Sequence, residues 1–270
     1  MPLTTNRPLR VYLLALSSAA WLPCVAHADE DATAASNGFT FLSDTPNVTH
    51  WGLGAGVGVR ASPYAGDGAD VTPLPLVYFE NKWARLFGTT LDLKIGQWEG
   101  VSVALRGQVG LFGGYKQSDA PILNGMEDRD GIAFWYGPAL AWQSPFGTLS
   151  GSYLVGGNKG QRATIDFSKS FKSGNWSLTP RLGAEWLSNE YVDYYYGVTA
   201  PEARTWRPAY SGSSTWKASG GVRVDYSLTP RQQVTFDVGV SYLGRGISDS
   251  PLTGRRWLPE ARLGYMYRFK

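Results

Sequence analysis

The run from Trp216 to Leu243 sets the tightest limit on what this chain can fold into. Trp216, Ala218, Gly220, Val222, Val224, Tyr226 and Leu228 are apolar, small or aromatic, and Lys217, Ser219, Gly221, Arg223, Asp225 and Ser227 stand between them. A turn at Thr229-Pro230-Arg231 follows. Then Val234, Phe236, Val238, Val240 and Tyr242 alternate with Gln233, Thr235, Asp237, Gly239 and Ser241. Side chains of a strand point to opposite faces with period two, so each run has one oily face and one polar face. A soluble sandwich shares that pattern. Length separates the two cases. Runs of about 11 to 13 residues exceed the ~5–6 usual in globular strands and match the ~9–11 tilted residues that cross a bilayer. The pair is predicted to be a hairpin of an outer-membrane barrel.

Composition agrees. The 33 glycines, 11 tryptophans and 14% aromatic share suit tight turns and aromatic girdles. A mean hydropathy of −0.22 suits strands whose apolar residues are diluted by lumen residues. Arg7, Arg10, an apolar core from Val11 to Val25 and the small-x-small triplet Ala26-His27-Ala28 predict a signal peptide over residues 1–28. A retained anchor is disfavoured because the apolar run is short and broken by Ser17, Ser18 and Pro23. Cleavage after Ala28 removes Cys24, the single cysteine, so stability must come from packing or the membrane rather than from an intramolecular disulfide. It also removes two of the 25 basic residues, against 22 acidic ones. The remainder is near neutral, with no basic block to recruit nucleic acid. Residues 29–47 read as a periplasmic lead-in and 48–270 as the barrel.

Along that barrel a first strand is expected from Trp51 to Arg60. Gly52, Gly54, Gly56 and Gly58 share one face there, as at a barrel seam where backbones approach closely. Strands are also expected at 74–80, 83–95, 101–111, 132–143, 148–155, 162–171 and 176–186, and at the C-terminal run closing on Phe269. Pro180 is expected to mark a bulge. Long loops at 116–131, 190–215 and 246–257 fall on one side and short turns at Pro145, Gly174 and Pro230 on the other, the pattern of bacterial barrels. The count is eleven, whereas a barrel with both ends in the periplasm needs an even number. Either the Phe39–Leu42 region adds a strand or 83–95 is two strands. The fold class is therefore all-β, a transmembrane antiparallel barrel of about twelve strands, with ten as the alternative.

Several stretches resemble one family. Trp51-Gly-Leu-Gly-Ala-Gly-Val-Gly-Val-Arg60 with Pro63-Tyr64 and Pro73-Leu-Pro-Leu76 is similar to the opening of the MipA/OmpV family. Tyr196-Gly197-Val198-Thr199, followed by Ala200 and Ala203, resembles its aromatic-Gly-Val-Ser/Thr loop motif, and Ser250-Pro251-Leu252 with Gly264-Tyr265-Met266-Tyr267-Arg268-Phe269 resembles its close. The resemblance implies an outer-membrane protein. It also implies outer-membrane lipid as surroundings, and as partner a lytic transglycosylase or another peptidoglycan-remodelling enzyme.

Catalysis finds little support. His50 is the single histidine after the signal segment, and it reads as an interfacial or periplasmic polar residue. A zinc site would need carboxylates alone, and no cofactor motif is present; the glycines of 52–58 precede no helix. The most specific polar feature is a set of charges on the inner face, chiefly Arg106, Arg181, Glu185, Arg223, Asp225, Asp237, Glu260 and Arg262. They read either as a selectivity ladder or as a mutually neutralising plug, and the near-equal signs favour the plug. Tyr194, Tyr195, Tyr196 and Trp206 form an extracellular aromatic loop, either a sugar or partner site or a self-packed cap with rings at the membrane surface. Phe39 and Phe41 are candidate anchors for docking a periplasmic partner. With the role that the family resemblance implies, the expectation is a non-enzymatic barrel of the bacterial outer membrane serving as a structural scaffold for envelope, peptidoglycan-remodelling machinery, with a small porin-like channel or a surface adhesin as alternatives.

Overall fold

A computed structural model describes residues 40–41, 47–110, 114–129 and 133–269. Its strands are β1 (Thr40–Phe41), β2 (His50–Ala61), β3 (Ala69–Glu80), β4 (Ala84–Phe87), β5 (Thr90–Trp98), β6 (Val101–Gly110), β7 (Ala133–Ser144), β8 (Gly147–Val155), β9 (Gln161–Ser168), β10 (Phe171–Ser173), β11 (Trp176–Leu187), β12 (Thr215–Thr229), β13 (Gln232–Leu243) and β14 (Trp257–Arg268). Two helices, α1 (Asn189–Tyr196) and α2 (Arg245–Ser248), lie in the loops. Neighbours in sequence pair antiparallel, and β14 pairs with β2 to close the sheet. Closure matters because hydrocarbon offers no partner for an open edge, so only a closed ladder satisfies the backbone.

Counting β9 and β10 as one interrupted strand, twelve strands form the barrel. The odd expected count is resolved in the 83–95 stretch, which is two strands turning at Gly88, a residue with φ of 57°. Thr40–Phe41 also pairs, with Gln97 and Gly96 of β5, but as a patch below the short β4 rather than as a barrel strand. Phe39 and most of the lead-in lie outside the described residues, as does the signal segment. His50 begins β2 rather than preceding it.

The bulge expected at Pro180 is absent. Arg181 faces Ser168 and Leu178 faces Phe171, so the register is unchanged across the break between β9 and β10. Lys169 still donates to the Pro180 carbonyl at 3.3 Å. What is missing is the return bond, because proline has no N–H to give.

The glycine face of β2 meets β14 closely. A Cβ at Gly54 would lie 2.2 Å from the Tyr265 carbonyl oxygen, and one at Gly56 would lie 2.6 Å from that of Leu263. At Gly58 the nearest atom would be 3.6 Å away. Leu53, Val57 and Val59 point outward to lipid, while the inner face curves over its neighbour. Exposed aromatics gather at both rims. Trp51 stacks on Phe269 and Trp176 packs on Tyr226 at the periplasmic end, with Tyr242 on Trp257 at the other.

The β4–β5 hairpin is shorter than its neighbours and leaves part of β3 without a partner on that side. Gly88 N–H donates to the Val77 carbonyl at 2.8 Å, and among the described residues no strand pairs with β3 beyond that point on that edge. In an antiparallel ladder a residue's N–H and C=O point the same way and alternate along the strand. Pro73 and Pro75 therefore face the same edge as Val77. At two successive positions of that open edge, Pro73 and Pro75, there is no donor to leave unpaired.

Gly54→Ala is expected to prevent stable closure, seen as loss of the difference in gel mobility between boiled and unboiled protein. Gly58→Ala is expected to keep that difference.

Candidate functional site

Half of the barrel interior is filled by charge. Asp237 on β13 is 0% exposed. It accepts from Arg181 Nη2 at 2.5 Å and from Nε at 3.2 Å, with Arg223 Nε 3.8 Å away. Arg181 comes from β11, so its side chain crosses the inner face of β12 to reach β13. Gly221 and Gly239 clear the way: a Cβ at either would lie 3.0 or 3.1 Å from the guanidinium. Arg181 also approaches Glu260 at 3.6 Å, and Glu260 accepts from Arg262 at 2.9 Å. Glu185 pairs with Lys217 and lies 3.8 Å from Arg162, whose guanidinium sits 4.6 Å over the Trp135 ring. Asp225 accepts from Thr235 and Gln233. Seven of the eight charges singled out from sequence thus lie together on β11–β14. Arg106 is apart on β6, in a two-pronged pair with Asp92 at 2.7 and 2.8 Å.

In the other half, small side chains on β6–β8 leave space beside the charges of β3–β6. Ser102 and Ala104 on β6, Ala139 and Ala141 on β7 and Ser150 on β8 border a cavity of 280 Å³ in the periplasmic half. Sequence reasoning weighed charges and missed these positions. Their signal is the inner-face run of Ser and Ala opposite outward Leu105, Leu140 and Trp142.

At the extracellular end the long loops fold together. Tyr64, Tyr115, Leu123, Met126, Val198 and Leu252, drawn from four loops, form one buried cluster. Ala61, Leu187, Val192, Leu243, Ile247 and Leu258 form a second beside it. The supposed aromatic loop contains a helix: Ser188 caps α1 by accepting the Tyr191 N–H, with Glu190 in the first turn. Tyr195 is buried and its carbonyl accepts from the Tyr64 hydroxyl at 3.2 Å; the Tyr196 carbonyl accepts from Ser250 at 2.6 Å. These residues point into the cap rather than toward the membrane. Tyr194 lies under two cations, Lys159 at 5.1 Å and Arg129 at 5.9 Å, and Trp206 is exposed beside Arg207.

Arg207, missed from sequence and 0% exposed, ties the cap together. It donates to the carbonyls of Ile122, Asn124 and Glu202 at 2.5, 3.0 and 2.7 Å. Burial would raise the Glu202 carboxyl. The Glu127 N–H, the Thr199 hydroxyl and N–H, and Arg129 together hold it below the usual carboxylate range. Burial pushes the Tyr115 hydroxyl up to about 12. Among the described residues no cluster of His, Cys, Asp and Glu is arranged to hold a metal.

A closed antiparallel barrel with lipid-facing girdles, an ionic interior and folded extracellular loops defines the class, an outer-membrane β-barrel. The family described as MltA-interacting protein MipA matches residues 53–269, and the chain belongs to that family. It is 26% identical over 239 residues to the MltA-interacting protein of Escherichia coli (strain K12), covering 84% of this chain and 95% of that one. It is 26% identical over 191 residues to outer membrane protein OmpV of Vibrio cholerae, covering 68% and 70%. Among solved structures the NanC porin aligns over 80% of this chain and 98% of its own, with 11% identity and a TM-score of 0.41.

Asp237→Asn is expected to destabilise the barrel by about 3–5 kcal/mol in reversible urea unfolding in vesicles, because it leaves buried arginines without their countercharge. Arg181→Met combined with Asp237→Leu is expected to cost less than the single change. For the cap, the sign follows from Glu202. Its depressed carboxyl stabilises the fold fully above the ordinary glutamate value of about 4.3, and that contribution is lost as pH falls below it. Amide exchange at residues 199–207, corrected for intrinsic rate, should accelerate at acid pH. Glu202→Gln should show the faster exchange already at pH 7.

Proposed function

We propose that the protein is a non-enzymatic outer-membrane barrel that serves as a structural scaffold for envelope machinery, with a peptidoglycan-remodelling enzyme, such as a lytic transglycosylase, as its periplasmic partner. The observation that carries this reading is the filling of the barrel. Folded loops lie over the extracellular mouth and paired charges cross the lumen, an arrangement suited to rigidity more than to rapid diffusion. A relative over most of the chain is named for its interaction with MltA, and a partner of that kind is brought to this chain as part of the proposal. Residues 1–28 would direct export and be cleaved after Ala28. Docking would fall on the lead-in, with Phe39 and Phe41 as anchors, because a stable interface buries about 800 Å² per partner and the periplasmic turns are short.

The 280 Å³ cavity supports a second reading, a small channel for polar solutes. Two measurements separate them. Purified protein in a planar bilayer is expected to pass no steady current, and the intact protein is expected to co-purify with a lytic transglycosylase. Phe39→Ser combined with Phe41→Ser should keep heat-modifiable migration and abolish that capture, and deleting residues 29–36 should keep the migration too. Steady, salt-scaled conductance without capture would favour the channel.

A further inference from the structure

The scaffold reading makes no use of the cavity on the β4–β8 side of the lumen. Its wall carries four cations, Lys82, Arg85, Lys94 and Arg106, against Glu80 and Asp92. Most are engaged. Arg106 forms its two-pronged pair with Asp92, and Lys94 donates to Glu80 at 2.7 Å and to the Asn81 carbonyl at 2.9 Å. Lys82 lies 5.2 Å from the Trp83 ring. Arg85 is held more loosely: its side chain is 19% exposed, and its Nε forms an ion pair with Glu80 at 3.7 Å, longer than a hydrogen bond. A guanidinium held by one long ion pair keeps donors to offer to a second anion. Its planar fork matches a carboxylate.

The surroundings fit an anion with a polar body. Ser102, Gln97, Gln143 and Ser150 offer hydroxyls and amides around the same space, and Ala104, Ala139 and Ala141 keep it open. The turn residue Lys82 places its mouth at the periplasmic end. Two acids against four cations leave a positive field in a low-dielectric wall, which attracts anions. We propose that this cavity is a periplasm-facing binding site for a small hydroxylated carboxylate, seated with its carboxylate on the Arg85 guanidinium. The site requires neither a protein partner nor conduction across the barrel.

Isothermal titration of the full barrel in zwitterionic detergent tests it, with sodium glucuronate as the probe, glucose as the same-sized neutral control and inorganic phosphate as the competing oxyanion. Glucuronate should bind saturably and glucose should not. Arg85→Gln should weaken glucuronate at least tenfold, and Arg85→Lys should weaken it too, since the ammonium keeps charge but loses the fork. Ser150→Leu, which fills the cavity while leaving Arg85, should also abolish binding; each variant is first checked for heat-modifiable migration. The proposal is overturned if folded protein gives no saturable glucuronate binding, if glucose binds equally, or if Arg85→Gln binds as tightly as the parent. Phosphate binding without glucuronate binding would likewise overturn the carboxylate assignment. None of these failures touches capture of a periplasmic enzyme.

Discussion

The closed wall of this molecule follows from one demand of the bilayer: a backbone amide in hydrocarbon must find its partner within the protein. Twelve strands meet that demand by closing on themselves, and the pairing of β14 with β2 completes the ring. The seam is tight because its inner face is glycine, which lets β2 curve over the backbone of β14. Once the ring is closed, lipid dictates the outer side chains and the interior is free to carry charge.

That interior is divided. On β11–β14 long charged side chains reach across one another, and Arg181 bypasses an entire strand to meet Asp237. Such a cluster is stable only when each charge has its counterpart. On β6–β8 alanine and serine take the equivalent positions, so space remains where the other half is packed. The extracellular loops add a third layer with apolar cores of their own, held by a buried arginine acting through backbone carbonyls.

Strand alternation was legible wherever strands are long and lipid-facing. The alternation of Trp216–Ser227 and Gln233–Tyr242 reads correctly, though the register shift between Ser227 and Thr229 was not legible, and the inner-face charges follow from parity alone. The N-terminal third was harder because β4 has four residues, too few for a period to declare itself, and because the Gly88 turn carries weak contrast. Pairings such as Arg181 with Asp237 were not legible, since they depend on curvature and on which glycines open a path. Pro180 misled for a related reason: a lost donor interrupts a ladder without requiring an extra residue. In the cap, Ser188 and Glu190 were the available helix signal, masked by the density of tyrosines that follows.

The two prolines on the free edge of β3 bear on how the barrel behaves before and after it is finished. An exposed strand edge recruits strands, whether from a second copy or from an unfolded neighbour awaiting insertion. An edge that presents carbonyls but lacks the amides of Pro73 and Pro75 can make only half of a ladder's bonds there, a poor template for a further strand. The shortened hairpin can therefore leave a gap in the wall without turning it into an adhesive surface. A crowded membrane in which many barrels assemble side by side gives that insulation its value.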